Sequence, residues 1–281
     1  LPGLVGADRA AEVERRAFVG GTGAGRSGAV GMDYRRRGEG GTVVAAGKLW
    51  AFHGDYVVCL IGGWRCERLD GPVRTSLEQC RLRGPVRVGS ADGPARELDT
   101  GDPGPADATW ALHHGVGYVP LTGRLGIRIG PAKGSWGDIN IRYAGEERVT
   151  ENVFALHLDH GDRPEAGGFV LVLGADGKAL DALAMETPWS VLANGRNVQC
   201  IRFADGTGMA AFHAGGEVGE AGLSVDRACV LMWRGRRIRA ADPTGSGGRL
   251  NVTLDGRTHR LGLPETGETV PAGDGQGPST R

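Results

Sequence analysis

The sequence predicts an all-β protein of stacked antiparallel sheets, and three observations predict it. Short runs rich in Val, Ile and Leu alternate with polar residues at period two. Turn dipeptides punctuate those runs at Asp70-Gly71, Asp92-Gly93, Asp176-Gly177, Asn194-Gly195, Asp205-Gly206 and Asp255-Gly256. Glycine at such places accepts the positive φ that tight hairpins demand. Finally, 51 Gly and 14 Pro among 281 residues imply many turns. Many short strands with frequent turns argue for stacked antiparallel sheets.

Taken in order, Ala7 to Ala17 is the one stretch that reads as a short helix. Val19 to Gly41 is glycine-dense, carries Arg35-Arg36-Arg37, and reads as a long surface loop with one strand. Tyr56 precedes Val57-Val58 and reads as a strand residue with its hydroxyl at the surface. Leu125, Ile127 and Ile129 face one way, with Arg124 and Arg128 facing the other. Phe154, Leu156 and Leu158 share a core face, and His157 and Asp159 share the opposite one. A boundary is expected near Leu183 to Trp189, which gives a large domain over 1–185 and a small one over 186–263. In the small one, Leu250, Val252 and Leu254 alternate with polar residues before Asp255-Gly256 turns the chain toward Leu261 and Leu263. Residues 264–281 are rich in Gly, Pro and Thr, have little to bury, and are expected to be a disordered tail.

Charge and cysteine content narrow the function classes. The 33 basic residues balance 33 acidic ones, so nothing points to nucleic acid or to an anionic membrane surface. Lys48, Lys133 and Lys178 are the only lysines, so arginine carries nearly all the positive charge. There is no apolar run long enough to span a membrane and no signal-peptide pattern at Leu1. Cys59, Cys66, Cys80, Cys200 and Cys229 contain no Cys-x-x-Cys pair, which argues against a zinc knuckle or redox motif. Cys59 and Cys229 sit in apolar runs as small core residues, while Cys66 and Cys80 flank a turn that a disulfide would suit in a secreted protein.

Two stretches carry the most specific signal: Lys133-Gly134-Ser135-Trp136-Gly137-Asp138-Ile139-Asn140 and Phe154 through Pro164. In register with them stand Leu1-Pro2-Gly3, Lys48-Leu49-Trp50-Ala51-Phe52, Cys59 to Gly63, Val73 to Gln79, Trp110 to Tyr118 and Ala241-Asp242-Pro243-Thr244. Together they resemble the sandwich region of the family 8 polysaccharide lyases, the hyaluronate, chondroitin and xanthan lyases. The resemblance runs from Leu1 to about Asp255. It implies a galactose-mutarotase-like super-sandwich followed by a smaller C-terminal β-sandwich, in a protein that is secreted when complete. A start at Leu1, inside a family motif, reads as a truncated or processed chain.

The resemblance also implies a chemistry. In that family a base removes the C5 proton of a uronate and the glycosidic oxygen leaves from C4. Hydrogen bonds must neutralise the carboxylate as charge builds in the transition state. The Asn, His, Tyr and Arg responsible come from an N-terminal α/α toroid, with a Glu and an Asn just before the Pro-Gly motif, and none of these has a matching position here. No catalytic residue, cofactor or metal is therefore assigned, and the isolated chain is expected to be inactive. The implied partners are that toroid and an acidic polysaccharide of the glycosaminoglycan or xanthan type. A free-standing carbohydrate-binding or scaffold module is the alternative, and a metal-dependent hydrolase built on His157 and Asp159 is a third reading.

Several residues admit two roles. Trp136 and Asn140 offer an indole platform and an amide to a sugar ring, although Trp136 also suits a cap on the core between sheets. Arg35, Arg36 and Arg37 suit uronate or sulfate through paired N–H donors, or a solvated charged loop. Tyr118, near His113 and His114, is a conceivable base; a packed strand aromatic is the simpler reading. His160 follows the apolar parity of its strand and points away from His157, so structural hydrogen bonding suits the segment better than a metal.

Overall fold

A computed structural model of the chain describes residues 12–13, 15–91, 93–138, 142, 145, 147–267 and 270–272. The first half contains β1 (Glu12–Val13), β2 (Val19–Ala24), β3 (Ser27–Arg37), β4 (Val43–His53), β5 (Tyr56–Glu67) and β6 (Val73–Arg81). It continues with β7 (Val86–Ser90), β8 (Gly93–Leu98), β9 (Ala108–His113), β10 (Val116–Pro120), β11 (Arg124–Gly134), β12 (Val149–Gly161) and β13 (Gly167–Leu173). A helix, α1 (Gly177–Met185), leads to β14 (Trp189–Asn194), β15 (Val198–Phe203), β16 (Thr207–Phe212), β17 (Gly216–Val218) and β18 (Leu223–Val225). The last strands are β19 (Cys229–Arg234), β20 (Arg237–Ala241), β21 (Gly248–Leu254), β22 (Arg257–Leu263) and β23 (Val270–Ala272). Among the described residues every strand pairing is antiparallel.

Four sheets stack as four layers. A ten-stranded sheet runs β1-β3-β4-β5-β13-β10-β9-β7-β8, with β2 also paired to β3. The three-stranded sheet β11-β12-β6 covers one of its faces. Ile127, Ile129, Phe154, Leu156 and Leu158 there meet Ile61, Val88, Ala111 and Tyr118. Against the other face lies the six-stranded sheet β14-β15-β16-β19-β20-β23. Leu49, Ala51, Val58, Leu60 and Val170 form a shared core with its Ile201, Phe203, Met209, Ala211 and Val230. The outermost layer is the four-stranded sheet β17-β18-β21-β22. It buries Leu250, Val252, Leu254 and Leu261 against Cys200, Ala210, Phe212 and Leu231.

Strand alternation explains how one sheet serves two cores. On β16, Met209 and Ala211 point to the large sheet, while Ala210 and Phe212 point to the four-stranded one. All six residues of β16 are buried. The expected all-β fold, a large sandwich followed by a smaller one, is what the chain adopts.

Several local expectations are corrected. Val19 to Gly41 is not a surface loop but carries the β2–β3 hairpin toward one end of the large sheet, packed against the second sandwich. Gly21 and Gly31 are there for close packing, while Gly25 and Gly40 take positive φ at turns. A Cβ on Gly31 would sit 2.8 Å from the Phe18 ring and 2.9 Å from both the Ala211 and Val230 side chains. Of the expected helix from Ala7 to Ala17, Glu12–Val13 is instead a strand on the edge of β3, because an open edge offers backbone partners that override local helix preference. Residues 1–11 and 14 lie outside the described residues. Asp176-Gly177 is not a hairpin turn but the start of α1, where the Asp176 carboxylate accepts the Ala179 N–H at 2.8 Å. Within the expected tail, Val270–Ala272 forms a strand beside β20. All five cysteines are free thiols, so Cys66 and Cys80 are not bridged.

The junction between the large sheet and the second sandwich has a polar bolt. Asn194 Nδ2, at the end of β14, donates to the Ile61 carbonyl at 3.3 Å and the Gly167 carbonyl at 2.9 Å. It thus holds the strands β5 and β13 from across the interface. Asn194→Ala is expected to lower stability by roughly 1–3 kcal/mol, the cost of leaving buried polar groups unpaired. Urea unfolding measures this, and an unchanged midpoint would show that the two bonds carry nothing.

Candidate functional site

The residues most suited to binding converge beside that bolt. β3 alternates, so Asp33 and Arg35 point toward the second sandwich and Arg36 points to the other face. Asp33 and Arg35 line a cleft of about 220 Å³ together with Arg16, Arg65, Arg196, Asn197 and His213. Its floor is backbone, Ala45-Ala46-Gly47 of β4 and Gly63 of β5. Arg36 and Arg37 are not part of the lining, so the structure splits the arginine triplet.

Glycine sets how close the two sandwiches approach here. A Cβ on Gly47 would lie 2.6 Å from Gln199 Nε2 and 2.9 Å from His213 Nε2. Gly63 has φ of 65°, and a Cβ there would lie 2.4 Å from the Arg196 Cα. The β14–β15 turn can therefore press Arg196 against β5 only because position 63 lacks a side chain.

The cleft is strongly basic. Four guanidinium groups and one carboxylate line it. Arg16 holds that carboxylate, with both Nε and Nη2 at 2.8 Å from Asp33 Oδ2. Arg65 Nε donates to Glu67 Oε1 at 2.6 Å, outside the lining. Arg196 is exposed and makes no ion pair among the described residues. His213 adds no charge at neutral pH, since burial pushes its pKa below the usual imidazole value against the opposing pull of Asp33. Gln199 Nε2 donates to the Gly195 carbonyl at 2.7 Å, which leaves Gln199 Oε1 to accept from His213 Nε2 at 2.8 Å. The imidazole is thus fixed as the Nε2–H tautomer, its ring packed on Phe18 at 4.3 Å.

Trp136 lies elsewhere. It opens a short 3₁₀ turn, Trp136–Asp138, that follows β11 at the tip of the three-stranded sheet. Asp138 braces the turn by accepting the Ser135 N–H at 3.0 Å and Arg148 Nη1 at 2.7 Å. The indole is 65% exposed, so it does not cap the core between sheets. Asn140 lies outside the described residues. The ten-stranded sheet stands between Trp136 and the arginine cleft, so these two sets of candidates do not form one site.

The other candidates are tied into structure. Tyr118 is buried and donates its hydroxyl to Glu78 Oε2 at 3.0 Å. Burial first, then the Glu78 charge, holds its pKa well above the usual phenol value, so it remains protonated and is no base at neutral pH. His113 Nε2 accepts the Arg83 N–H at 3.1 Å. His160 bonds Thr75 Oγ1 at 2.8 Å and packs on Trp64, and burial lowers its pKa to about 4. His157 instead lies over Gly126, and Asp159 accepts Arg74 Nε at 3.0 Å. Among the described residues no group of three His, Cys, Asp or Glu is placed to hold a metal ion.

Arg16, Asp33, Arg65, Arg196 and His213 were not legible as a site, because five separated segments contribute them. The available signal was Gly47 and Gly63 inside apolar strands, where a missing side chain marks close backbone approach.

Comparison with known proteins agrees with this architecture. Residues 5–184 match the polysaccharide lyase family 8 super-sandwich domain. Residues 190–251 match the family 8 C-terminal β-sandwich domain. The chain is 30% identical over 208 residues to the chondroitinase-AC of Pedobacter heparinus, which covers 70% of this chain and 29% of that protein. A Paenibacillus xanthan lyase superposes with a TM-score of 0.78 at 20% identity, covering 99% of this chain and 31% of the other. The chondroitin AC lyase of Streptomyces coelicolor A3, solved with chondroitin sulphate, gives a TM-score of 0.72 at 25% identity, covering 96% of this chain and 39% of that one. The chain thus spans less than half the length of each of these relatives. With its two sandwich regions matched in order over most of its length, the chain belongs to polysaccharide lyase family 8.

Proposed function

We propose that the chain is the β-sandwich part of a secreted lyase that cleaves a uronate-containing polysaccharide of the chondroitin, hyaluronan or xanthan type by β-elimination. An N-terminal α/α toroid, joined to it in the parent enzyme, supplies the reacting groups. The observation that carries this reading is the ordered match to both family 8 sandwich domains, alongside 30% identity to a chondroitinase-AC of which the chain covers 29%. The state of the candidate base supports the second half of the proposal. Removal of a weakly acidic C5 proton needs a group that accepts it near neutral pH. Tyr118, held protonated beside Glu78, is unsuited to that task.

In this role the sandwich stiffens the enzyme and touches the polysaccharide from outside the reaction centre. The exposed Trp136 indole is an apolar platform for a pyranose ring, and Arg35 is a hydrogen-bonding partner for acidic groups. The 281-residue chain alone is expected to release no unsaturated uronate from hyaluronan, chondroitin or xanthan, as followed by ultraviolet absorbance. The same chain joined to its upstream helical half is expected to release it from at least one of the three. Robust product from the isolated chain would end the proposal that the catalytic groups lie outside it.

A further inference from the structure

We infer that the cleft at the junction of the two sandwiches is an oxyanion site, and that its ligand is a small group carrying a carboxylate or a sulfate. With Glu67, which holds Arg65, counted beside Asp33, four guanidinium groups face two carboxylates and the site is net positive by two, His213 staying neutral. Asp33 does not face an incoming anion unshielded, because Arg16 covers Oδ2 with two N–H groups. Guanidinium forks match the paired oxygens of carboxylate and sulfate, whereas a neutral ligand would leave several cations desolvated without return. Gly47 and Gly63 let His213 and Arg196 close in on β4 and β5, so the second sandwich brings its Arg196 up to the arginines of the first.

Size limits the ligand. Pockets for drug-sized molecules occupy roughly 300–1,000 Å³. A cleft of about 220 Å³ accepts one acidic sugar residue or a free inorganic oxyanion, not a buried oligosaccharide. Position gives the site a second property. Arg16, Arg35 and Arg65 belong to the first half of the chain, and Arg196 to the β14–β15 turn of the second sandwich. An anion held among them fastens the two sandwiches to each other, so ligand binding and resistance to unfolding rise together. The cleft keeps this property whether or not a catalytic half is attached. Failure of the elimination assay and failure of anion binding are therefore separate results.

The test is thermal unfolding and titration calorimetry of the complete chain with sodium sulfate, sodium glucuronate and neutral N-acetylglucosamine at matched ionic strength. Saturable binding and a saturable rise in midpoint are expected with sulfate, with glucuronate, or with both, and not with the neutral sugar. Sulfate alone would identify a sulfate ester or free inorganic anion as the ligand, and glucuronate alone a uronate carboxylate. Arg196→Ala, on an exposed turn, is expected to fold and to bind roughly ten- to hundredfold more weakly, the range of one charged hydrogen bond. Arg35→Gln should weaken binding likewise, and Arg81→Ala, on β6 of the three-stranded sheet, should not. Sulfate also stabilises proteins by exclusion from their surface, an effect that does not saturate and that Arg196→Ala retains. No saturable binding of either anion, or equal affinity in wild type and Arg196→Ala, overturns the assignment.

Discussion

Trp110→Ala is expected to destabilise the protein by roughly 3–5 kcal/mol, the usual cost of emptying a large aromatic site in a core. Trp110 on β9 is fully buried in the core shared by the large sheet and the second sandwich, next to Leu180 and Leu183 of α1. Its Nε1 donates to Asp181 Oδ1 at 2.8 Å, so the same side chain fills space and pins the helix. The ring lies where a side chain on Gly89 would stand, 2.2 Å from a Cβ at that position. Trp110→Phe separates the two contributions: it keeps much of the packing and loses the hydrogen bond, which alone is worth about 1 kcal/mol. Urea unfolding of both variants checks this. A loss below 1 kcal/mol for Trp110→Ala would mean that α1 is not seated on this residue.

Alkaline pH is expected to unfold the protein through its buried thiols. Burial pushes the pKa of Cys59, Cys200 and Cys229 up from 9.0 to about 12 each. In the unfolded chain these thiols lose their protons near the ordinary value, while the folded protein keeps them until about pH 12. Their contribution is therefore complete below about pH 9 and falls as pH rises toward 12. One pH unit costs about 1.4 kcal/mol per thiol in that window, or roughly 4 kcal/mol for three. Lys48 works in the opposite sense. It is buried between the Tyr34 and Trp50 rings, and burial lowers its pKa, so the folded state gains relative stability as pH rises. Cys200→Ala should flatten the alkaline loss in urea unfolding between pH 8 and pH 10.5, and Lys48→Met should steepen it. A flat profile in wild type would show that these thiols are open to solvent.

Much of the layer structure was readable from residues alone. Ile127, Ile129, Phe154, Leu156 and Leu158 follow period two and are all buried as that pattern requires. Trp110 and Tyr118, within one family motif, fall in the core at 0% and 2% exposure. What failed to show did so for physical reasons. β16 reads Thr-Gly-Met-Ala-Ala-Phe, with no alternation, because both of its faces are covered and neither needs a polar residue. In α1 the Asp176-Gly177 pair resembles a hairpin turn, and the spacing of Leu180 and Leu183 was the contrary signal. The arginine cleft left no local pattern, since its charged residues are brought together from Arg16, β3, β5 and the β14–β15 turn only by folding.

The six-stranded sheet has no face to spare. One side closes the second sandwich and the other lies on the large sheet, so the covalent seam after α1 is not a place where the molecule comes apart. A gene cut there would leave each product with a wide oily surface bare, and neither piece would behave as an independent part. For engineering, the tradable block is the whole four-layer stack.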